Sequence, residues 1–322
     1  MPVPDPCGPA LAHWCHRWPA DAQPPLAVAY SAGADSTALL LAAHARWPGQ
    51  VHALHVHHGL QVAADGFEAH ARHTCGQLGL PLHVAHRQAH PAPGQSPEDA
   101  ARQHRYQALA SQAQAAGLHT VLLAHHADDQ AETVILALSR GAGLPGLAAM
   151  PERFQRHGTV FGRPLLGVAA AALRASLVAA GHRFVDDPSN TDLRYTRNRI
   201  RAHLLPAWDA TFPHSRAALA RSARHAAQAQ HLLADLARID LQHTGEPPHI
   251  SRLQTLSSAR QANALRHWLH AHWSAVPSDA QLQALLRQID ACRTRGHHIR
   301  LKVANGYIHR QGDHLAYHPA LG

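Results

Sequence analysis

Lysine is nearly missing from this chain. Lys302 is the only one, and arginine supplies the rest of the 29 Lys and Arg residues. A phosphate loop of the GxxxxGK[ST] type is therefore excluded, because it needs a lysine on the β/γ-phosphates. Cysteine is scarce as well. Cys7, Cys15, Cys75 and Cys292 are scattered with no CxxC pair, which excludes a zinc knuckle and a two-thiol redox motif and fits a reducing compartment. No apolar run approaches the roughly 20 residues that span a bilayer. The opening MPVPDPCGPALAHW lacks a basic segment followed by an apolar core, so no signal peptide is expected. The expectation is a cytoplasmic protein with no membrane partner. Acids are outnumbered, 21 against 29, giving a formal net charge of +8 and a pI near 10.0. That surplus points to nucleic acid, and its arginines are planar, bidentate donors suited to phosphate. A GC-rich genome would favour the same composition, so composition alone leaves the partner open. What is plentiful is apolar: 46% hydrophobic residues and a mean hydropathy of −0.26 exclude a disordered or fibrous chain. At 322 residues the length favours two domains.

From residue 26 to about 185, short apolar runs alternate with Ala/Leu-rich helical stretches. LAVAY (26–30), VHALHVHH (51–58), PLHVAH (81–86), TVLLAHH (120–126) and VFGRPLL (160–166) read as strands. Helices are expected over 37–45, 65–78, about 128–140 and about 168–180, the last with Gly181 at C′. A further helix opens at Ser96-Pro97-Glu98-Asp99, with Ser96 as N-cap and Pro97 at the first helical position. The expected fold is α/β: a parallel sheet with helices on both faces, followed by a helical connector and a small α+β C-terminal domain. The expected boundaries are 1–213 for the catalytic domain, 214–245 for the connector and 246–322 for the small domain. Residues 300–319 read as a meander whose two-residue turn is Asn305-Gly306. In parallel sheets ligands bind beyond the carboxyl ends of the strands. Ser31–Ser36, His57-His58 and His125–Glu132 all fall at such ends, so one mouth of the sheet should collect them.

Ser31-Ala32-Gly33-Ala34-Asp35-Ser36 follows a strand and opens a helix. Small residues let the backbone wrap an anion, and the helix start aims N–H groups at it. Ser31 and Ser36 add hydroxyls, and Asp35 can orient the loop or help hold Mg²⁺. In His125-His126-Ala127-Asp128-Asp129-Gln130-Ala131-Glu132, Glu132 lies four residues from Asp128 and three from Asp129, so the acids can share one helix surface. Three acids behind paired histidines suit metal–phosphate chemistry or a cationic substrate. Arg102 and Arg105 stand on one helix face, where they can stabilise phosphate charge. His55, His57 and His58 read as strand-end structure rather than ligands.

SAGADS resembles the SGGxDS loop of the N-type ATP pyrophosphatases. Together with LHVHHGL (54–60), the A-R-x-x-R-Y run at Ala101–Tyr106, HHADDQAET (125–133), SRGAGLPGLAAM (139–150) and DDPSNTDLRYTRNRIRAHLLP (186–206), it resembles the tRNA(Ile)-lysidine synthase family. The specific motifs cover about residues 26–208. The resemblance implies a two-step ligation. ATP adenylates C2 of the wobble cytidine of an isoleucine tRNA with a CAU anticodon, and free L-lysine then displaces AMP. Lysidine results, and the codon read changes from AUG to AUA. ATP and Mg²⁺ are the implied cofactors, and a homodimer is admitted. Carried onto this chain, Ser31, Ala32, Gly33, Ala34, Asp35 and Ser36 bind ATP. Asp35 and Asp128 are the candidate metal ligands. Asp35, Arg102, Arg105, His125, Asp129 and Glu132 are the candidate catalytic residues, with Asp129 and Glu132 facing the lysine ammonium and Asp128 facing metal or lysine. His125 and His126 would meet the phosphate or the adenylated base, and Arg197, Asn198 and Arg201 AMP or RNA.

This chain departs from the family pattern at Ala32, where a glycine is usual, and at Ala142, a place often taken by Ser or Thr. Should position 32 need a positive φ, alanine there would be strained by roughly 1–2 kcal/mol. The chain also has one small C-terminal domain where longer members carry another. Three other readings stay open: a tRNA thiolase of the same superfamily, an ammonia-using synthetase, and a non-catalytic RNA-binding protein.

Overall fold

The computed structural model describes residues 5–57, 63–86, 97–187, 191–294 and 297–319. Strands Leu26–Ala29 (β1), Val51–His57 (β2), Leu82–His86 (β3), Thr120–Leu122 (β4), Arg153–Arg156 (β5) and Thr159–Gly162 (β6) form one sheet, ordered β3-β2-β1-β4-β6-β5. The β1–β2, β2–β3, β1–β4 and β4–β6 pairs are parallel. Only β5 runs against its neighbour. This edge strand, RFQR, was not foreseen, because its polar sequence carries no apolar run. β6 is shorter than the expected 160–166: pairing stops at Gly162, and Arg163 leaves the strand to turn into the site described below. The predicted N-cap Ser96 and His58 lie outside the described residues.

The first compact unit spans Met1–Ala227. Its helices are Cys7–Arg17 (α1), Ala34–Arg46 (α2), Ala63–Leu78 (α3), Pro97–Ala115 (α4), Ala127–Ser139 (α5), Leu144–Leu147 (α6), Ala170–Ala179 (α7), Thr196–Arg199 (α8), Leu205–Thr211 (α9) and the start of Ser215–Thr244 (α10). Alternating strand residues serve opposite faces of a sheet. Leu26 and Val28 therefore pack with Leu11 and Trp14 of α1, Leu39 and Leu40 of α2, and Leu173 and Leu177 of α7. Ala27, between them, joins Tyr106, Leu109 and Ala113 of α4 on the other face, with Val121 and Phe161. Each fully buried leucine of this kind contributes roughly 1.5–3 kcal/mol. Gly162 is needed for that packing, since a Cβ there would lie 2.4 Å from the Trp14 ring. α7 closes as expected at Gly181, φ +72°, where the Gly181 and His182 amides bond back to the Val178 and Leu177 carbonyls.

A third apolar cluster positions the site. Ala131 and Ile135 of α5 pack against Ile200 and Leu205, with Trp208 and Leu219 at its border. Between α8 and α9 the helix widens into a π turn over Ile200–Leu204, and Arg201 projects from that turn towards α5.

The second unit spans Gln228–Gly322. It holds the rest of α10, then Ile250–Leu253 (α11), Ser258–Trp273 (α12), Asp279–Ala291 (α13) and an antiparallel meander of Arg300–Val303 (β7), Gly306–Gln311 (β8) and His314–Pro319 (β9). Leu282, Leu285, Leu286 and Ile289, at helical spacing, meet Trp268, Ile308 and Leu315 in its core. The β7–β8 turn differs from the expected one. Val303 pairs with Gly306, so the turn residues are Ala304-Asn305, with Ala304 at φ +49°. Gly306 belongs to the strand for another reason: a Cβ there would come within 2.4 Å of the His318 carbonyl and 2.5 Å of Tyr317.

Candidate active site

The Ser31–Ser36 turn links β1 to α2 and is tied by its own hydroxyls. Ser31 and Ser36 Oγ lie 3.0 Å apart, the Ser31 amide donates to Ser36 Oγ (3.2 Å), and Ser36 and Thr37 donate to the Gly33 carbonyl (3.1 and 2.8 Å). Gly33 caps α2 with an ordinary negative φ. The left-handed position is Ala32, at φ +69°, the condition under which its methyl is strained. The methyl is nonetheless fully buried in the core cluster, and the Ala32 carbonyl accepts the Val185 amide at 2.9 Å. Behind the turn, the buried His55 ring sits 2.8 Å from the Tyr30 carbonyl, the structural role expected of it.

His126 caps α5 and stands at the centre of three carboxylates. Its Nε2 is 3.5 Å from Asp35 and 3.5 Å from Asp129, and its Nδ1 is 3.6 Å from Asp128. Its backbone amide also donates to Asp129 at 3.0 Å. Burial alone would discharge the ring, but Asp35, Asp129 and Asp128 outweigh it and raise the pKa to about 9. His126 is an imidazolium at neutral pH, joining the phosphate turn to the acid helix.

The acids differ from one another. Asp128 is buried and accepts from Arg216 and, at 2.9 Å, from the Ala170 amide. Burial opposes its ionisation, yet those donors hold its carboxyl below the usual value. With both oxygens so engaged, Asp128 does not fit the metal or lysine role expected of it. Asp35, at 40% side-chain exposure, keeps a carboxylate open to solvent and fits Mg²⁺, which commonly takes one or two carboxylates plus substrate phosphates. Glu132 is fully buried. Its Oε1 accepts from Arg201 Nε at 2.8 Å, while its Oε2 has no hydrogen-bond partner among the described residues. Burial raises its pKa against the lowering by Arg201. Arg201 also lies 3.7 Å from Asp129, so it neutralises the acids rather than standing free for AMP or RNA. Asn198 likewise turns inward, donating to the Asp192 carbonyl at 2.9 Å. Gln130 is structural, clamping the Met150 amide and carbonyl.

On the other side of His126 the charge reverses. Arg163, 2% exposed, donates to His125 Nδ1 (3.3 Å), the Tyr106 hydroxyl (2.9 Å) and the Pro151 carbonyl (2.8 Å). Its plane lies over Phe154, 4.3 Å from the ring centroid. Packing, then the positive charges of Arg163, Arg105 and Arg102, push the His125 pKa well below the ordinary histidine value. His125 is therefore a neutral ring with Nδ1 accepting and Nε2–H free to donate. Arg102 and Arg105, both exposed on α4, are near enough for their charges to bear on His125, and Arg102 lies 5.8 Å from the Tyr106 ring centroid. Arg163 itself is a buried guanidinium whose hydrogen-bond partners above are all uncharged. Such a cation attracts an anion, since burying a charge costs several kcal/mol unless it is paired. Arg163 and Arg216 were missed from the sequence. The only signal was an arginine inside the apolar run VFGRPLL, and for Arg216 nothing marked it among the many helix arginines.

The four cysteines are buried free thiols. Burial, with smaller contributions from Asp5 and Asp35, pushes Cys7 up to about 12, and burial takes Cys75 to about 11. Among the described residues no helix is long and apolar enough to cross a membrane.

Residues 12–208 match the PP-loop domain family, and residues 249–316 match the TilS substrate binding domain. The tRNA(Ile)-lysidine synthase of Polaromonas naphthalenivorans is 59% identical over 303 residues, covering 94% of this chain and 92% of that protein. Its counterpart in Bordetella bronchiseptica is 44% identical over 297 residues, covering 88% and 86%. Among solved structures, the U34-tRNA thiolase NcsA from Methanococcus maripaludis aligns with a TM-score of 0.55 over 68% of this chain and 76% of that one, at 16% identity. That last likeness is one of fold.

Proposed function

The chain belongs to the tRNA(Ile)-lysidine synthase family, and from that premise we propose the reaction its site performs. ATP adenylates the C2 carbonyl oxygen of the wobble cytidine in CAU-anticodon isoleucine tRNA, releasing pyrophosphate. The side-chain amine of free lysine then bonds to C2 as the C2–O bond breaks and AMP leaves. The observation that carries this reading is Glu132: a fully buried carboxylate with one oxygen held by Arg201 and the other unpartnered. A buried acceptor left unmade costs about 1–3 kcal/mol, and an ammonium donor satisfies it. Asp129, beside it and within reach of the same Arg201, supplies the second carboxylate. The amine arrives as a cation with a pKa near 10.4, so it must lose a proton before attack, and Asp129 or Glu132 accepts or relays it.

The Ser31–Ser36 turn holds the ATP phosphates. His125 Nε2–H, Arg102 and Arg105 face the α-phosphate as charge develops there, and Arg163 fixes the His125 tautomer. Asp35 would hold Mg²⁺, which would supply charge neutralisation for the departing phosphates. Asp128 acts through Arg216 as a brace. The TilS-type second unit and the arginine surplus support tRNA as the partner, and a reaction on tRNA with free lysine is consistent with work in the cytoplasm. Burial raises the thiols of Cys7, Cys15 and Cys75, which speaks against sulfur transfer from them, since that needs a thiolate.

The test is Glu132→Gln, which keeps the shape and removes the charge. Single-turnover assays with labelled ATP and tRNA, first without lysine and then with it, separate the half-reactions. Adenylated tRNA should form at near the wild-type rate while lysine transfer slows. Loss of adenylation along with transfer in a folded variant removes Glu132 from the lysine pocket and gives it a phosphate role.

A further inference from the structure

The ends of β2 and β3 carry a cluster that the reaction above does not use. His57 and His86 are the last residues of these two parallel strands, and they are direct partners in the register. Paired residues in a parallel ladder project to the same face, so the two rings stand together with centroids 4.8 Å apart. The same face is covered by α3, and its second turn brings Glu68 to the rings. Glu68 Oε2 lies 3.4 Å from His86 Nε2, and Asp65, one turn earlier, lies 3.1 Å from His57 Nε2. One ligand atom from each of His57, Glu68 and His86 falls within 4.8 Å of the others.

We propose that His57, Glu68 and His86 bind a divalent cation of the zinc class. A tetrahedral ion with bonds of about 2.0–2.2 Å needs ligand atoms about 3.3–3.6 Å apart. The Glu68–His86 edge already meets that separation. His86 has a side-chain exposure of 65%, so its ring can swing to shorten the remaining edges without disturbing the core. Glu68 is prepared as a ligand. Arg72 donates twice to Oε1, at 2.9 and 2.7 Å, which orients the carboxylate and leaves Oε2 towards the histidines. Those hydrogen bonds from Arg72 also hold the carboxyl below its usual pKa. Two imidazoles and one carboxylate form a borderline donor set that suits Zn²⁺ over the oxygen-seeking Mg²⁺. This separates the cluster from the Mg²⁺ role at Asp35. Three protein ligands leave a fourth position for water or for Asp65. His57, read from the sequence as strand-end structure, is by this geometry a ligand.

The experiment titrates Zn²⁺ into the full chain, stripped of metal, against a fluorescent chelator that competes for it. A parallel titration uses Co²⁺, whose visible absorption reports tetrahedral N/O coordination. One equivalent should bind with a Kd at or below the micromolar range. His86→Ala should weaken that binding at least 10-fold and abolish the Co²⁺ band. Glu68→Gln, which preserves size, should weaken it comparably. Because His86 is exposed, its variant keeps the fold, and circular dichroism verifies this for both. The proposal is overturned if the variants bind Zn²⁺ like the wild type, since other histidines would then be responsible. It is equally overturned if the wild type binds no equivalent in that range. Pyrophosphate release should be unchanged in His86→Ala.

Discussion

Replacing His126 by glutamine tests whether one proton holds the phosphate turn to the acid helix. The ring is 7% exposed and lies between Asp35, Asp128 and Asp129, with its pKa raised from 6.5 to about 9. In the unfolded chain it titrates near 6.5. Below that pH both states hold the proton, and the full stabilisation is present. As pH rises from 6.5 towards 9 the unfolded ring gives up its proton while the folded ring keeps it, so stability is progressively lost. At 1.36 kcal/mol per pH unit the whole effect is roughly 3 kcal/mol. Glutamine lacks that proton at every pH. Urea unfolding of wild type and His126→Gln at pH 6, 7, 8 and 9 therefore yields the quantity directly. The difference between them should shrink by about 1 kcal/mol per pH unit from pH 7 upwards, the other histidines cancelling in the subtraction. A difference that stays constant across this range would refute the imidazolium hub.

Four further outcomes follow from the same geometry. Ala32→Val places a β-branched side chain at φ +69° in a filled core and should lower stability by about 2–4 kcal/mol in the same unfolding assay. Arg163→Lys keeps the charge but loses the fork that holds His125, Tyr106 and the Pro151 carbonyl; pyrophosphate release should fall on the order of 10²-fold, measured with and without lysine, and an unchanged rate would remove Arg163 from the phosphate side. Asp128→Asn removes the charge from one of two partners of Arg216, which keeps Asp209 at 2.7 Å, and should destabilise by about 1–3 kcal/mol with the Mg²⁺ dependence of pyrophosphate release unaltered, whereas Asp35→Asn should raise the Mg²⁺ concentration required.

Much of the architecture was legible because it rests on periodicity and local chemistry. Apolar runs located β1 to β4, small residues marked the phosphate turn, and Gly181 marked the end of α7. β5 escaped notice because an antiparallel edge strand with three polar residues around the single Phe154 has no such pattern. The Asn305-Gly306 turn was displaced by one residue because a glycine that admits the backbone of β9 looks, in sequence, like a turn glycine. Within the site, the acids and histidines of 125–132 were visible as a motif, but their division of labour was not. Asp128 and Glu132 share a helix surface, and only the arrival of Arg216 and Arg201 from segments nearly 70 residues or more downstream makes one a brace and the other half-satisfied. Whether Ala32 was strained also depended on a dihedral that no composition encodes.

The choice of cation inside this site has a consequence for its acid–base timing. Asp128 and Glu132 are neutralised by Arg216 and Arg201, and the chain's one lysine, Lys302, is an exposed residue of β7. Guanidinium keeps its proton up to about pH 12, whereas in the reaction proposed above the incoming lysine amine must surrender one near 10.4. Under that proposal the scaffold and the substrate are built from cations that titrate in separate ranges. A base strong enough to deprotonate such a nucleophile would find no ammonium of the protein's own among these ion pairs, and the framework of the proposed pocket would stay charged while its guest became neutral.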